Sequence, residues 1–115
     1  MEKKKYEIRK HVFETKNNIQ YYRYMITKES IPLLEINQYI EQKSIRNVKT
    51  GLQYAKKLVV FLNWLEQKNV LYENATNQHV KAFIHDLIYG IMNDELQIQS
   101  NHWNQYYLIV HSVPI

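Results

Sequence analysis

The sequence predicts a mainly α-helical fold, four helices preceded by an N-terminal β-hairpin, and three observations carry that reading. Gly and Pro number only two each in 115 residues. So few breakers suit long helices and argue against a loop-rich β-sandwich. Beyond residue 30 the apolar residues recur at helical spacing. Before residue 28 they alternate instead, the period of a half-buried strand.

The hairpin is expected over residues 5–27. Tyr6, Ile8 and Val12 alternate with Glu7, Arg9 and His11, and a Tyr- and Ile-rich stretch follows over residues 19–26. Between them lies Thr15-Lys16-Asn17-Asn18, where Asn tolerates the left-handed conformation of tight hairpin turns. A first helix is then expected with Ser30 as its cap, Pro32 near its first turn and Glu35 within it. Leu33, Leu34, Ile36 and Ile40 supply its apolar face, and it ends near Lys43. The second helix, from about Asn47 to Lys68, has the clearest stripe: Val48, Leu52, Ala55, Leu58, Val59, Leu62 and Leu65, widened by Tyr54 and Phe61. Lys49, Gln53, Lys56 and Asn63 fall outside that stripe. Gly51 costs about 1 kcal/mol against Ala in a helix interior, but near a helix start it permits close approach of another backbone.

The third helix is expected from a Thr76 cap through Val80, Phe83, Ile84, Leu87 and Ile88 to a stop at Gly90. Residues 91–99 read as a loop. A fourth helix is expected over residues 100–112, with Trp103, Tyr106, Tyr107 and Val110 as its apolar face and Pro114 beyond it. The domain reading is therefore a basic hairpin extension over residues 1–28 and a helical domain over residues 29–115, its fourth helix cut short.

Composition narrows the function classes. The absence of Cys excludes disulfides and thiolate chemistry and fits a cytoplasmic location. The longest apolar run, residues 58–62, is far too short to span a bilayer, so no membrane partner is expected. Met-Glu-Lys-Lys-Lys at the N-terminus is not a secretory signal. The net charge is +4, but residues 1–57 hold 13 of the 15 Lys and Arg against 6 of the 11 acids. A basic half points to a polyanionic partner such as nucleic acid.

The residues offer no catalytic constellation. His79 and His85 are six apart, on different faces of a helix, and no His-Glu-x-x-His pattern exists. Surface or capping roles are the expectation for all five His. Two glycines cannot build a phosphate-binding loop, and no Ser stands in a nucleophile-elbow context. Asp94-Glu95 reads as a solvated loop pair, and most of the ten Tyr fall at core spacing. No metal and no cofactor is expected.

The order of elements resembles the N-terminal core-binding domain of the tyrosine recombinase (phage integrase) family. Asn47, Thr50, Tyr54, Leu58, Phe61 and Leu65 match the polar, Thr, Tyr, Leu, Phe, Leu steps of that domain's second helix. Residues 33–44 look like its first helix, 76–87 like its third and 100–113 like the start of its fourth. A hairpin followed by Ile31-Pro32 also occurs in some members. The resemblance covers about residues 30–113 and rests on spacing across four helices, because the individual motifs are degenerate. Asn47 stands where the family usually has Ser, a mild departure. A larger one is that none of the five His is followed by Arg three residues on, so the family's His-x-x-Arg motif is missing.

The resemblance implies an orthogonal, SAM-like four-helix bundle that clamps duplex DNA near a crossover site, within a protein that integrates or recombines DNA. It implies that the second and fourth helices approach the major groove, where helix side chains reach base edges and phosphates. The implied DNA-binding residues are Lys49, Thr50, Gln53 and Lys57 on the second helix and Ser100, Asn101 and Gln105 on the fourth. Arg46 and Lys56 would reach phosphates. Tyr54 belongs either to the core or to the groove lip. Without the catalytic set the fragment itself is expected not to cut DNA. It is expected to be monomeric in isolation, its other partners being recombinase protomers in a synaptic complex. Two alternatives stay open. The hairpin could add a strand to a protein partner or bind separate arm DNA, or the chain could be a helical interaction domain unrelated to recombination.

Overall fold

A computed structural model of the chain describes residues 6–89, 106 and 108–110. The alternating segment folds as two nine-residue strands, β1 (Tyr6–Glu14) and β2 (Gln20–Lys28), paired antiparallel without a bulge from Tyr6 opposite Lys28 to Glu14 opposite Gln20. The turn closes as the Asn pair predicts: Asn18 is left-handed, at φ 61°. Thr15 completes it, its hydroxyl accepting the Ile19 N–H at 3.2 Å.

A third strand, β3 (Ile31–Pro32), pairs antiparallel with β2. The sheet order is β1-β2-β3. This corrects two expectations. Ser30 is no helix cap: with Glu29 it makes the turn into β3, at φ 72° and 52°. Two successive left-handed residues give the tight hairpin geometry that matches strand twist. Pro32 then sits at a sheet edge, where its missing N–H breaks no ladder bond. The mainly α, four-helix SAM-like bundle is corrected with it. The fold is mixed α/β, because the N-terminal segment is a three-stranded antiparallel sheet with a helix on it and not an appendage to a helical bundle.

The helix packed along β2 is α1 (Leu34–Ser44). Its N-cap residue is Leu33, which offers no side-chain cap. Arg23 on β2 joins it to the sheet, its Nε donating to Glu41 at 3.0 Å. Asn37 does the same on the strand edge, bonding both the N–H and the carbonyl of Ile26. The next helix, α2 (Val48–Gln67), has the predicted extent within a residue. A 3-10 turn at Tyr72–Asn74 leads to α3 (Asn77–Tyr89). At its start the Thr76 N–H donates to Nδ1 of His79 at 2.9 Å, so one of the five His has a capping role. Residue 106 and residues 108–110 are helical, within the stretch expected as a fourth helix. Trp103, Tyr107 and the expected stop and loop at residues 90–99 lie outside the described residues.

The chain forms two compact units, residues 1–59 and 60–115, and α2 runs through the boundary between them. In the first, Ile26, Ile36, Ile40, Ala55 and Leu58 are buried. Here Gly51 lies on the inner side of α2 against Ser44 of α1. In the second, Phe83 is fully buried with its ring 5.0 Å from Phe61 and 5.6 Å from Trp64. Such pairs add about 0.5–1.5 kcal/mol each beyond their area. The Trp64 indole N–H donates to Asp86 at 2.9 Å, which satisfies the one polar atom of that ring. No helix among the described residues is long and apolar enough to cross a membrane.

Candidate nucleic-acid interface

The α1–α2 junction and the first turns of α2 carry a basic face. Asn47 opens the helix: its side-chain oxygen accepts the Lys49 N–H at 2.9 Å, and its carbonyl accepts the Thr50 N–H at 3.0 Å. An Asn side chain satisfies an orphan donor of the first turn without adding negative charge. No acid stands in that first turn. The positive end of the helix dipole is thus left uncompensated and favours an anion.

At 100° per residue, Lys49, Gln53 and Lys56 form one row along α2, and Thr50 and Lys57 form the adjacent row. The apolar stripe faces away from both, and burial agrees: Ala55 and Leu58 are buried, while Lys49, Thr50, Gln53 and Lys56 are exposed. Lys57 is half-buried. Arg46 is exposed in the turn before the helix. The structure therefore brings six of the nine expected residues, Arg46, Lys49, Thr50, Gln53, Lys56 and Lys57, into one segment of one unit. Ser100, Asn101 and Gln105 lie outside the described residues.

Electrostatics single this segment out. Residues 42–65 contain five Lys and Arg and no acid at all. Among the described residues, Arg46, Lys49 and Lys56 have no carboxylate partner, unlike Arg9 and Arg23, which pair with Glu7 at 3.3 Å and Glu41 at 3.0 Å. Burial lowers the pKa of Lys57, and the neighbouring Lys56 charge lowers it further. An anion placed here would relieve that repulsion.

The candidates drawn from the sequence omitted Lys43. Its ammonium lies 5.3 Å from the Tyr39 ring centre and 5.5 Å from that of Tyr54. The two rings are themselves 6.0 Å apart. The acid-free run that includes Lys43 is legible in the sequence; its seat between two tyrosines is not, because it needs α1 and α2 side by side. Tyr54 is half-buried beside α1.

No group of three or more potential metal ligands occurs among the described residues. His11 packs its ring on Phe13 at 4.4 Å, and His85 lies 5.2 Å from Tyr89. His102 and His111 lie outside the described residues. No family model, curated protein or solved structure matches the chain.

Proposed function

We propose that the chain binds duplex DNA through the outer face of α2, as a DNA-gripping, non-cutting part of a tyrosine recombinase. The observation that carries this reading is the acid-free segment over residues 42–65, which displays Arg46, Lys49 and Lys56 without carboxylate partners among the described residues. Unpaired cations cost little in water and are available to phosphates, where each contact releases condensed counterions. Gln53 lies between two lysines in the same row, at the position from which a side chain reaches a base edge when the flanking cations hold phosphates. The recombinase assignment draws its support from the residue spacing of α2: the matching Leu58, Phe61 and Leu65 are buried, and the matching Thr50 is exposed. Other recombinase protomers are the protein partners that assignment carries.

The test is a fluorescence-anisotropy titration of a labelled duplex. With about four phosphate contacts, affinity should fall about a hundredfold for a fourfold rise in salt. The Lys49→Ala, Lys57→Ala double variant should weaken binding and flatten that salt dependence. A salt-independent curve, or full affinity in the double variant, removes α2 from the interface.

A further inference from the structure

A separate feature of the first unit lies outside the α2 face: the outer edge of β2 is only partly filled. In the unbroken register of β1 and β2, the backbone groups of even-numbered β2 residues point away from β1. Three devices occupy that side at its C-terminal end. Lys28 faces Ile31 of β3, the Ile26 carbonyl accepts the Leu33 N–H at 3.2 Å, and the Asn37 amide takes the Ile26 N–H. Farther along, the Tyr22 carbonyl accepts Nη1 of Arg23 at 3.0 Å. The N–H and carbonyl of Tyr24 and the N–H of Tyr22 have no partner among the described residues.

A cleft of about 540 Å³ runs beside this free stretch. Phe13, Tyr21, Met25 and the edge residue Tyr24 line it from the sheet and Leu34 and Gln38 from α1, and the Arg23–Glu41 ion pair forms part of its wall. Leu34 is 74% exposed, a large apolar side chain at a helix start. On the opposite sheet face, the Lys10 ammonium leans over the Tyr22 ring, 4.3 Å from its centre, and has no carboxylate partner among the described residues.

We infer that this edge is a docking site for an extended peptide of a protein partner, which adds a strand beside Tyr22–Tyr24. The unsatisfied groups are alternating backbone donors and acceptors at strand spacing, which another polypeptide backbone in register satisfies. Alternation then fixes the chemistry of the peptide. Side chains on the Tyr21 and Met25 side enter the cleft and are apolar. Those on the Tyr22 and Tyr24 side meet Lys10 and are acidic. Asn37 ends the lane, so the added strand is short.

The probe is a labelled, end-blocked Leu-Glu-Leu-Glu-Leu peptide titrated against the full chain. Saturable binding is expected, weakened about tenfold or more when alternate peptide amides are N-methylated, which removes the backbone donors but keeps every side chain. Leu34→Glu should weaken it comparably; this exposed position in the first helical turn tolerates an acid, so the variant should keep its circular dichroism. Lys10→Glu should weaken this probe and strengthen a Leu-Lys-Leu-Lys-Leu analogue. Absence of binding, or binding indifferent to both N-methylation and Leu34→Glu, overturns the inference. So does a dimer in sedimentation that the peptide does not dissociate, because a second copy then owns the edge. Displacement of the peptide by duplex DNA assigns the edge to nucleic acid and overturns it equally.

Discussion

Asn37 replaces a missing strand residue for Ile26: its amide oxygen accepts the Ile26 N–H at 2.8 Å and its amide nitrogen donates to the Ile26 carbonyl at 3.0 Å. The reason is the abrupt change from β3 to α1. In a continued ladder the Leu33 carbonyl would accept the Ile26 N–H. That carbonyl is instead the first acceptor of α1, taking the Asn37 N–H at 2.9 Å. One residue thus draws the carbonyl into the helix with its backbone and repairs the strand with its side chain. This relationship joins sheet to helix in the unit that also carries the basic face.

Asn37→Ala should therefore cost about 2–3 kcal/mol, since it leaves a donor of the fully buried Ile26 unpaired. Urea unfolding measures it as a lower midpoint with an unchanged slope. Asn37→Asp keeps an acceptor for the Ile26 N–H but turns a second carboxylate oxygen toward the Ile26 carbonyl, acceptor against acceptor, so its midpoint should fall as well.

Gly51→Ala should destabilise, although Ala is favoured over Gly in a helix by about 1 kcal/mol. A Cβ at Gly51 collides with Oγ of Ser44 and comes within 3.0 Å of its Cβ and 3.4 Å of the Ile40 carbonyl oxygen. Ser44 cannot simply swing away, because it is buried and its hydroxyl donates to that same Ile40 carbonyl at 2.7 Å. The overpacking should outweigh the propensity gain and leave a net loss of about 1–2 kcal/mol. Ser44→Gly removes the obstruction, so in that background Gly51→Ala should become stabilising. This change of sign in a double-mutant cycle is the check.

Thr27→Val should stabilise the protein by about 1 kcal/mol. The Thr27 side chain is buried, and its hydroxyl has no hydrogen-bond partner among the described residues. Exchange for a methyl group of similar shape removes an unmet desolvation cost and keeps a β-branched residue in the strand. Thermal unfolding should show a rise of a few degrees. A fall would mean that the hydroxyl is satisfied in solution.

The elements written locally in the sequence are the ones that were legible. Alternation from Tyr6 onward marks the hairpin, and a 3.6-residue period marks α2 and α3. The short β3 is not written that way. Glu29 and Ser30 are both left-handed, yet neither is the Gly or Asn that usually announces such a turn. Pro32 is equally at home in a first helical turn and at a sheet edge, so Ser-Ile-Pro reads as a helix start. Asn37 carries no local signal at all, because its partner is eleven residues away on another element. The basic face divides the same way. The stripe of α2 gives the outward positions of Lys49, Gln53 and Lys56, but the half-burial of Lys57 depends on what packs beside it.

That half-burial separates stability from binding at one residue. Burial, helped by the Lys56 charge, lowers the Lys57 pKa below the usual lysine value of 10.5. The folded protein thus holds the Lys57 proton less tightly than the unfolded chain. A proton bound more tightly by the unfolded state makes stability rise with pH through the window between the lowered pKa and 10.5. Below that window the charge is a constant burden. Lys57→Met keeps the apolar stem and discards the charge. It should leave stability at neutral pH unchanged or raise it by less than about 1 kcal/mol, and it should flatten the alkaline rise. DNA affinity should move the other way, falling severalfold with the salt slope reduced by about one contact. If Lys57→Met lowers stability and leaves DNA affinity intact, the ammonium serves the fold and the interface lies elsewhere on α2.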